Sequence, residues 1–100
     1  MKINKKNTEA KWFKFKGEVE FLIRPFKFSV MKLDNISQGM AEQFRYCIAD
    51  WKGINGEDDK PLECNDENID YLYDYYVDIR DFVFKKQEVF KKGLDEQLKN

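Results

Sequence analysis

The sequence predicts an α+β fold in which an N-terminal antiparallel β-hairpin or small sheet precedes two to three α-helices. Near the N-terminus, apolar residues alternate with charged ones, which is typical of strands. After Leu33 the apolar residues recur at spacings of three and four, which is typical of amphipathic helices. The chain has 100 residues, which is enough for one small domain with a modest core.

Two strands are expected from residues 11–16 (KWFKFK) and 18–23 (EVEFLI), with Gly17 marking the turn between them. Pro25 cannot donate a ladder hydrogen bond, so it should end the second strand or lie at an edge. Residues 26–30 (FKFSV) alternate again. They predict a third short strand or an extended segment.

The length of the hairpin loop follows from which side chains it would pair. A two-residue turn would place Phe15 opposite Glu20, whereas a three-residue loop pairs Phe15 with Val19 and Phe13 with Phe21. Because the second register keeps one face of the hairpin apolar, we favour the three-residue loop.

A first helix of about 14 residues is expected after an N-cap at Asn35 or Ser37, and Gly53 should end it. One apolar stripe of this helix has helical spacing. The stripe consists of Met40, Phe44, Cys47, Ile48 and Trp51.

A polar connector covers residues 54–64, and Asn65 or Asp66 should cap the helical region that follows. The apolar pattern continues to about residue 92, as one helix of about 26 residues or as two helices broken near residues 75–77. Lys91, Lys92 and Gly93 are typical of a helix C-terminus.

These signals define the expected domain organisation. Residues 1–10 form a flexible basic arm, residues 11–92 form a single α+β domain, and residues 93–100 form a tail that frays. We expect Trp51 to pack against the start of the second helical region, with Pro61 and Leu62 folded beneath it.

Charge is unevenly distributed along the chain. Residues 1–16 carry six Lys and one Glu, whereas residues 57–81 carry ten acidic and two basic residues. Opposite poles favour self-association or docking onto an oppositely charged partner, although such runs also keep a surface solvated. One acidic helix face, solvated or directed at a partner, consists of Asp70, Asp74, Asp78 and Asp81.

The sequence lacks the residues that several kinds of metal, phosphate-binding and catalytic site require. The chain contains no His, its acidic connector fits no EF-hand register, and two separated cysteines, Cys47 and Cys64, cannot assemble a zinc site and should be free thiols. Phosphate-binding loops and nucleophile elbows are also missing. We predict a protein that is not an enzyme and has no metal, no cofactor and no catalytic residues.

Nucleic acid and membranes are disfavoured as partners. Lysines flank Trp12, Phe13 and Phe15 and could accompany base stacking, but such an alternation more often faces a core, and the acidic second half would repel phosphate. Neither a membrane-spanning apolar run nor a signal peptide is found, which predicts the cytoplasm.

Four short motifs resemble a known class of proteins. They are Ile23-Arg24-Pro25, the D-W-x-G-I segment at residues 50–54, Pro61-Leu62, and the polar helix cap at residues 66–69. Over roughly residues 19–84 their order resembles small proteins of phage and prophage tail-morphogenesis regions, in particular tail assembly chaperones. The chain departs from that pattern at Asp59-Lys60, where a Gly is expected; Gly56 could serve instead.

The resemblance implies a non-enzymatic protein of the bacterial host cytoplasm that binds the tape-measure protein or the tail tube protein, with possible self-association. Two alternatives stay open: a structural tail or connector component of the virion, and an interaction module that uses the Lys-rich arm. The candidate partner-binding or docking residues are Trp12, Phe13, Phe15, Arg24, Trp51, Pro61, Leu62, Tyr71 and Tyr75.

Overall fold

A computed structural model describes residues 1–98 as a three-stranded antiparallel sheet and four helices. The predicted α+β class is confirmed, with one helix more than expected. The strands are β1 (Lys11–Lys16), β2 (Val19–Ile23) and β3 (Ile48–Lys52), in the spatial order β1-β2-β3. The helices are α1 (Ile36–Cys47), α2 (Asp66–Tyr75), α3 (Val77–Lys85) and α4 (Gln87–Leu98).

The hairpin of β1 and β2 contains a bulge. The predicted pairing of Phe13 with Phe21 is confirmed, but that of Phe15 with Val19 is wrong, because Lys16 lies opposite Val19. The loop therefore has two residues rather than three. One extra residue in β1 absorbs the difference, and Phe15 still faces the helices, with its ring 5.0 Å from an aromatic ring of α3.

The third strand lies elsewhere than predicted. Residues 26–30 contain a 3-10 turn. The predicted first helix and its Asn35 cap are confirmed, but the helix has 12 residues and ends at Cys47 rather than near Gly53. β3 follows it directly, so Trp51 lies on a strand. β3 pairs with β2 through a register shift that leaves Ala49 unpaired. This bulge gives Ile48 and Trp51 a three-residue spacing on one buried face, which imitates a helical pattern.

Two glutamine side chains form hydrogen bonds with the backbone of the extended segment after β2, in place of a neighbouring strand. The Gln87 amide donates to the Arg24 carbonyl (3.1 Å) and accepts from the Phe26 N–H (2.8 Å). The buried Gln43 accepts from the Lys27 N–H (2.9 Å) and donates to its carbonyl (3.0 Å). These bonds satisfy backbone groups that a sheet would otherwise have to pair.

Of the two arrangements that the sequence leaves open, the structure has the one with a helix break near residues 75–77. Tyr76 has non-helical dihedral angles (φ −111°, ψ 82°) and separates α2 from α3. A second break, at Lys86, separates α3 from α4, and α4 continues through Gly93 to Leu98, so the expected helix end at Gly93 is wrong. Asn65 caps α2, since its side chain accepts from the Asn68 N–H at 2.9 Å.

The N-terminal segment lies against the C-terminal helix. Residues Lys5–Thr8 form a 3-10 turn, and Gln97 on α4 donates a hydrogen bond to the Asn4 carbonyl at 3.2 Å. The predicted flexibility of residues 1–10 and fraying of residues 93–100 stay predictions. Residues 99 and 100 of that tail lie outside the described part of the chain.

One face of the sheet packs against the helices to form the core. Aromatic edges join the sheet to the helices, as where Phe15 contacts Phe82 at 5.0 Å and Phe13 contacts Phe90 at 6.0 Å between ring centroids. The buried apolar side chains are Phe21, Ile23, Phe44, Cys47, Ile48, Trp51, Ile69, Leu72, Ile79, Val83 and Phe90.

Candidate docking surface

Three of the predicted docking residues belong to the interior. Trp51 is 6% exposed, and its indole N–H donates to the Leu62 carbonyl at 2.9 Å, so the predicted Trp51–Leu62 contact is present. Phe13 and Phe15 are half-buried against helix side chains. These three side chains are therefore engaged within the protein rather than free for a partner.

The connector after β3 is a tight, hydrogen-bonded loop. The Leu62 N–H donates to the Ile54 carbonyl (2.8 Å), and Pro61 lies exposed beside it. At the turn, Asp59 has a left-handed backbone (φ 59°), at the Asp59-Lys60 position where the resemblance expects a Gly. Gly56 does not take this conformation, because its φ is not positive.

Trp12 and Arg24 are each engaged by a neighbour. Trp12 lies partly exposed on the outer face of the sheet, with the Lys52 ammonium 4.1 Å from its ring centroid. Arg24 donates to the Tyr46 carbonyl at 2.9 Å and stacks on the Tyr46 ring. Both positions therefore already make cation–π contacts within the chain.

The remaining two predicted residues form an exposed cluster with a third tyrosine. Tyr71, Tyr75 and Tyr76, the tyrosine cluster, are 56%, 70% and 49% exposed. The Tyr71 ring lies 4.8 Å from that of Tyr75 and 6.2 Å from that of Tyr76. Sequence reasoning missed Tyr76, because only the helix break turns it toward the other two.

Two cavities border the tyrosine cluster. The first, of about 190 Å³, lies between the connector, β1 and α2. Its lining is Phe15, Val19, Ile54, Asn55, Leu62, Tyr71, Leu72, Tyr76 and Ile79. The second, of about 510 Å³, is lined by Phe15, Lys16, Tyr75, Tyr76, Val77, Asp78 and Ile79. The tyrosine cluster and these two cavities together form what we term the docking surface.

A second apolar groove lies on another side of the molecule. It has a volume of about 330 Å³ and separates the Pro25-Phe26 segment from α4. Phe90 and Leu94 form its floor and wall. This groove contains none of the candidate residues from the sequence, and it serves below as the comparison surface.

Acidic side chains surround the tyrosine cluster. Asp70 forms a bidentate pair with Arg45 (2.6 and 3.1 Å), and this hydrogen bond raises the pKa of Arg45. Asp78 lies 3.7 Å from the Lys16 ammonium. The break at Tyr76 divides the predicted acidic face between α2 and α3, and one carboxylate on each helix is paired within the chain.

Cys47 and Cys64 are free thiols, as predicted. Burial raises the pKa of Cys47 to about 12 and that of Cys64 to about 11, so neither thiol is ionised at neutral pH. Among residues 1–98, no group of three His, Cys, Asp or Glu side chains could hold a metal ion. No helix in this range is long and apolar enough to cross a bilayer.

Comparisons with protein-family models, with curated proteins and with solved structures find no significant match to this chain. Function therefore has to be inferred from the surface itself. At the docking surface, exposed aromatic rings lie beside two cavities.

Proposed function

We propose that this chain is a non-enzymatic tail-morphogenesis protein of a phage or prophage, a tail assembly chaperone that binds the tape-measure protein in the cytoplasm of the bacterial host. The observation that carries the proposal is the tyrosine cluster, three exposed rings in which Tyr71 contacts both of the others, beside two cavities. Exposed apolar patches of this kind mark protein-binding sites.

Tyrosine suits a surface that is hydrated in the free protein and becomes buried when a partner binds. Its ring supplies contact area at a low cost in conformational entropy, and its hydroxyl tolerates water in the free protein. The contacts among the three rings also restrict them before a partner arrives, which lowers the entropic cost of binding. Such a surface can cover an apolar stripe of a long helical protein until tail tube subunits replace it.

The motifs of the tail-chaperone resemblance support this surface from within. Trp51 of the D-W-x-G-I segment bonds to the backbone of Leu62, and Leu62 and Ile54 line the smaller cavity. The resemblance and the surface therefore involve the same part of the molecule. This agreement is what supports a tail-morphogenesis role over an unrelated interaction module.

Co-expression with the tape-measure protein encoded in the same gene region tests the proposal. The wild-type chain should keep that protein soluble and co-purify with it, whereas a Tyr71→Ser/Tyr75→Ser variant should lose both effects. Phe28→Ser is the matched control, because Phe28 is 84% exposed and lies outside the docking surface. Unchanged solubility and migration of the partner with the wild-type chain would contradict the proposal.

Mass spectrometry of finished virions separates the chaperone from a structural tail or connector component. A chaperone acts before the particle is complete, so its peptides should be missing from purified particles. Stoichiometric recovery of the chain in those particles would favour the structural role instead.

A further inference from the structure

The exposed side of α2 places carboxylates next to the tyrosine cluster. Glu67 lies four residues before Tyr71 and Asp74 three residues after it, so all three side chains share one helix face. Both carboxylates are exposed, and neither forms an ion pair within residues 1–98. They are therefore available to a partner seated on the rings.

A third carboxylate borders the larger cavity of the docking surface. Asp78 lines the larger cavity, and its pair with Lys16 joins two mostly exposed side chains at 3.7 Å. An exposed pair at this distance is weak, so a cation of the partner can replace Lys16. Lys16 is the one basic residue among those that line the two cavities.

The shape of the surface indicates the form of its occupant. A cavity of about 190 Å³ is smaller than typical small-molecule pockets and suits a single apolar side chain. The two cavities share Phe15, Tyr76 and Ile79 in their linings, so they are adjacent. Neighbouring side chains of one helical stripe, at spacings of three and four residues, fill adjacent pockets in this way.

We propose that the docking surface selects an amphipathic helix whose apolar stripe is flanked by lysine or arginine. The apolar stripe covers the tyrosine cluster and enters the cavities, and the basic flanks meet Glu67 and Asp74 on α2 and Asp78 at the larger cavity. This inference rests on the proposed function and specifies the chemistry of the segment that it binds. Charge complementarity supplies the selection, because like charges at the rim would be repelled.

Three synthetic helical peptides of equal length test this selection against the full-length chain by calorimetry. The first carries a leucine stripe with lysine flanks, the second the same stripe with glutamate flanks, and the third the composition of the first in scrambled order. The lysine-flanked peptide should bind about tenfold more tightly than either of the others. Its affinity should fall as salt is raised.

A charge-reversal variant tests where the selection lies. Glu67→Lys/Asp74→Lys should invert the preference, so that the glutamate-flanked peptide binds more tightly. Both positions are exposed, so the fold should tolerate the change. The matched control reverses two exposed carboxylates of α4 beside the comparison groove, Glu88→Lys/Asp95→Lys, and should keep the wild-type preference.

Other outcomes overturn the inference in distinguishable ways. If the lysine- and glutamate-flanked peptides bind equally and Tyr71→Ser/Tyr75→Ser abolishes both, the docking surface stands and its charge selection is refuted. If the scrambled peptide binds as well as the ordered one, helix recognition is refuted. If no peptide binds while the tape-measure protein still co-purifies, the helical occupant is wrong and the proposed function survives. Self-association that the tyrosine variant abolishes and the peptides fail to disrupt would assign the surface to a second copy.

Discussion

Two groups of aromatic side chains in this molecule have opposite environments. Phe21, Phe44, Trp51 and Phe90, the buried aromatic cluster, are at most 6% exposed and lie between the sheet and the helices. The tyrosine cluster is at least 49% exposed, although its rings contact one another as closely. The apolar area of the first group is buried in the folded protein. The second group leaves much of its ring area exposed.

Contacts between rings occur in both groups, so they do not by themselves distinguish a buried core from an exposed cluster. What separates the two groups is their position relative to the sheet. The buried rings lie on its helix-covered face, whereas the tyrosines lie at the break between α2 and α3. Substitutions in the buried group should therefore change stability first, and those in the tyrosine cluster should change binding first.

Trp51→Ala should have the largest effect on stability. It removes a buried ring and leaves the Leu62 carbonyl without its donor, which should lower the free energy of unfolding by about 3–5 kcal/mol. Chemical denaturation measures this loss. Trp51→Phe is the control: it keeps a ring and loses the hydrogen bond, so it should cost less. An unchanged denaturation midpoint in Trp51→Ala would show that this residue is not part of the buried cluster.

Gln43→Leu should have the next largest effect. It keeps much of the side-chain volume but removes both hydrogen bonds to Lys27, which should lower the free energy of unfolding by about 1–3 kcal/mol. The exposed Gln38→Leu variant on the same helix provides the control, and urea denaturation of both variants compares them. Equal effects of the two substitutions would mean that the hydrogen bonds between Gln43 and the Lys27 backbone contribute nothing specific to stability.

Asp59→Gly should change stability in the opposite direction. Glycine adopts the left-handed backbone of this turn without strain, and a gain of a few tenths of a kcal/mol up to about 1 kcal/mol is expected. Thermal denaturation detects the gain. Gly53→Ala is the contrasting change in the same loop region, since an added Cβ would meet the Glu18 carbonyl. A loss of stability in Asp59→Gly would contradict the turn conformation.

Tyr71→Ser/Tyr75→Ser should have the smallest effect on stability. Both rings are mostly exposed, so each substitution should change the free energy of unfolding by no more than about 0.5 kcal/mol. Differential scanning calorimetry of the variant and of Phe28→Ser compares two exposed sites. A loss comparable to that of Trp51→Ala would place the tyrosines in the folding core and remove the contrast between the two groups.

Much of the fold follows from local pattern. The pairing of Phe13 with Phe21, the Asn65 cap and the helix break near Tyr76 all depend on residues close in sequence, and each is observed. The α+β class follows in the same way. Periodicity is sufficient in these places because one regular element continues long enough to show its repeat.

Other parts depend on contacts between distant residues and could not be predicted. The bulge that leaves Ala49 unpaired gives β3 a three-residue spacing, so the sequence suggests a helix there. Residues 26–30 form no third strand, because the side chains of Gln43 and Gln87 make the hydrogen bonds to this segment that a neighbouring strand would make. The bonded backbone groups belong to Arg24, Phe26 and Lys27. Tyr71 and Tyr75 were predicted as docking residues, but Tyr76 joins them only through the helix break.

Chemical-shift mapping tests the central claim most directly. A helical segment of the tape-measure protein is added to isotope-labelled chain, and the backbone amide shifts are recorded by NMR. The largest changes should occur at residues of the docking surface, namely residues 15, 16 and 19, the connector residues 54, 55 and 62, and residues 71, 72 and 75–79. Changes confined to Phe26 and α4, the comparison groove, would contradict the account.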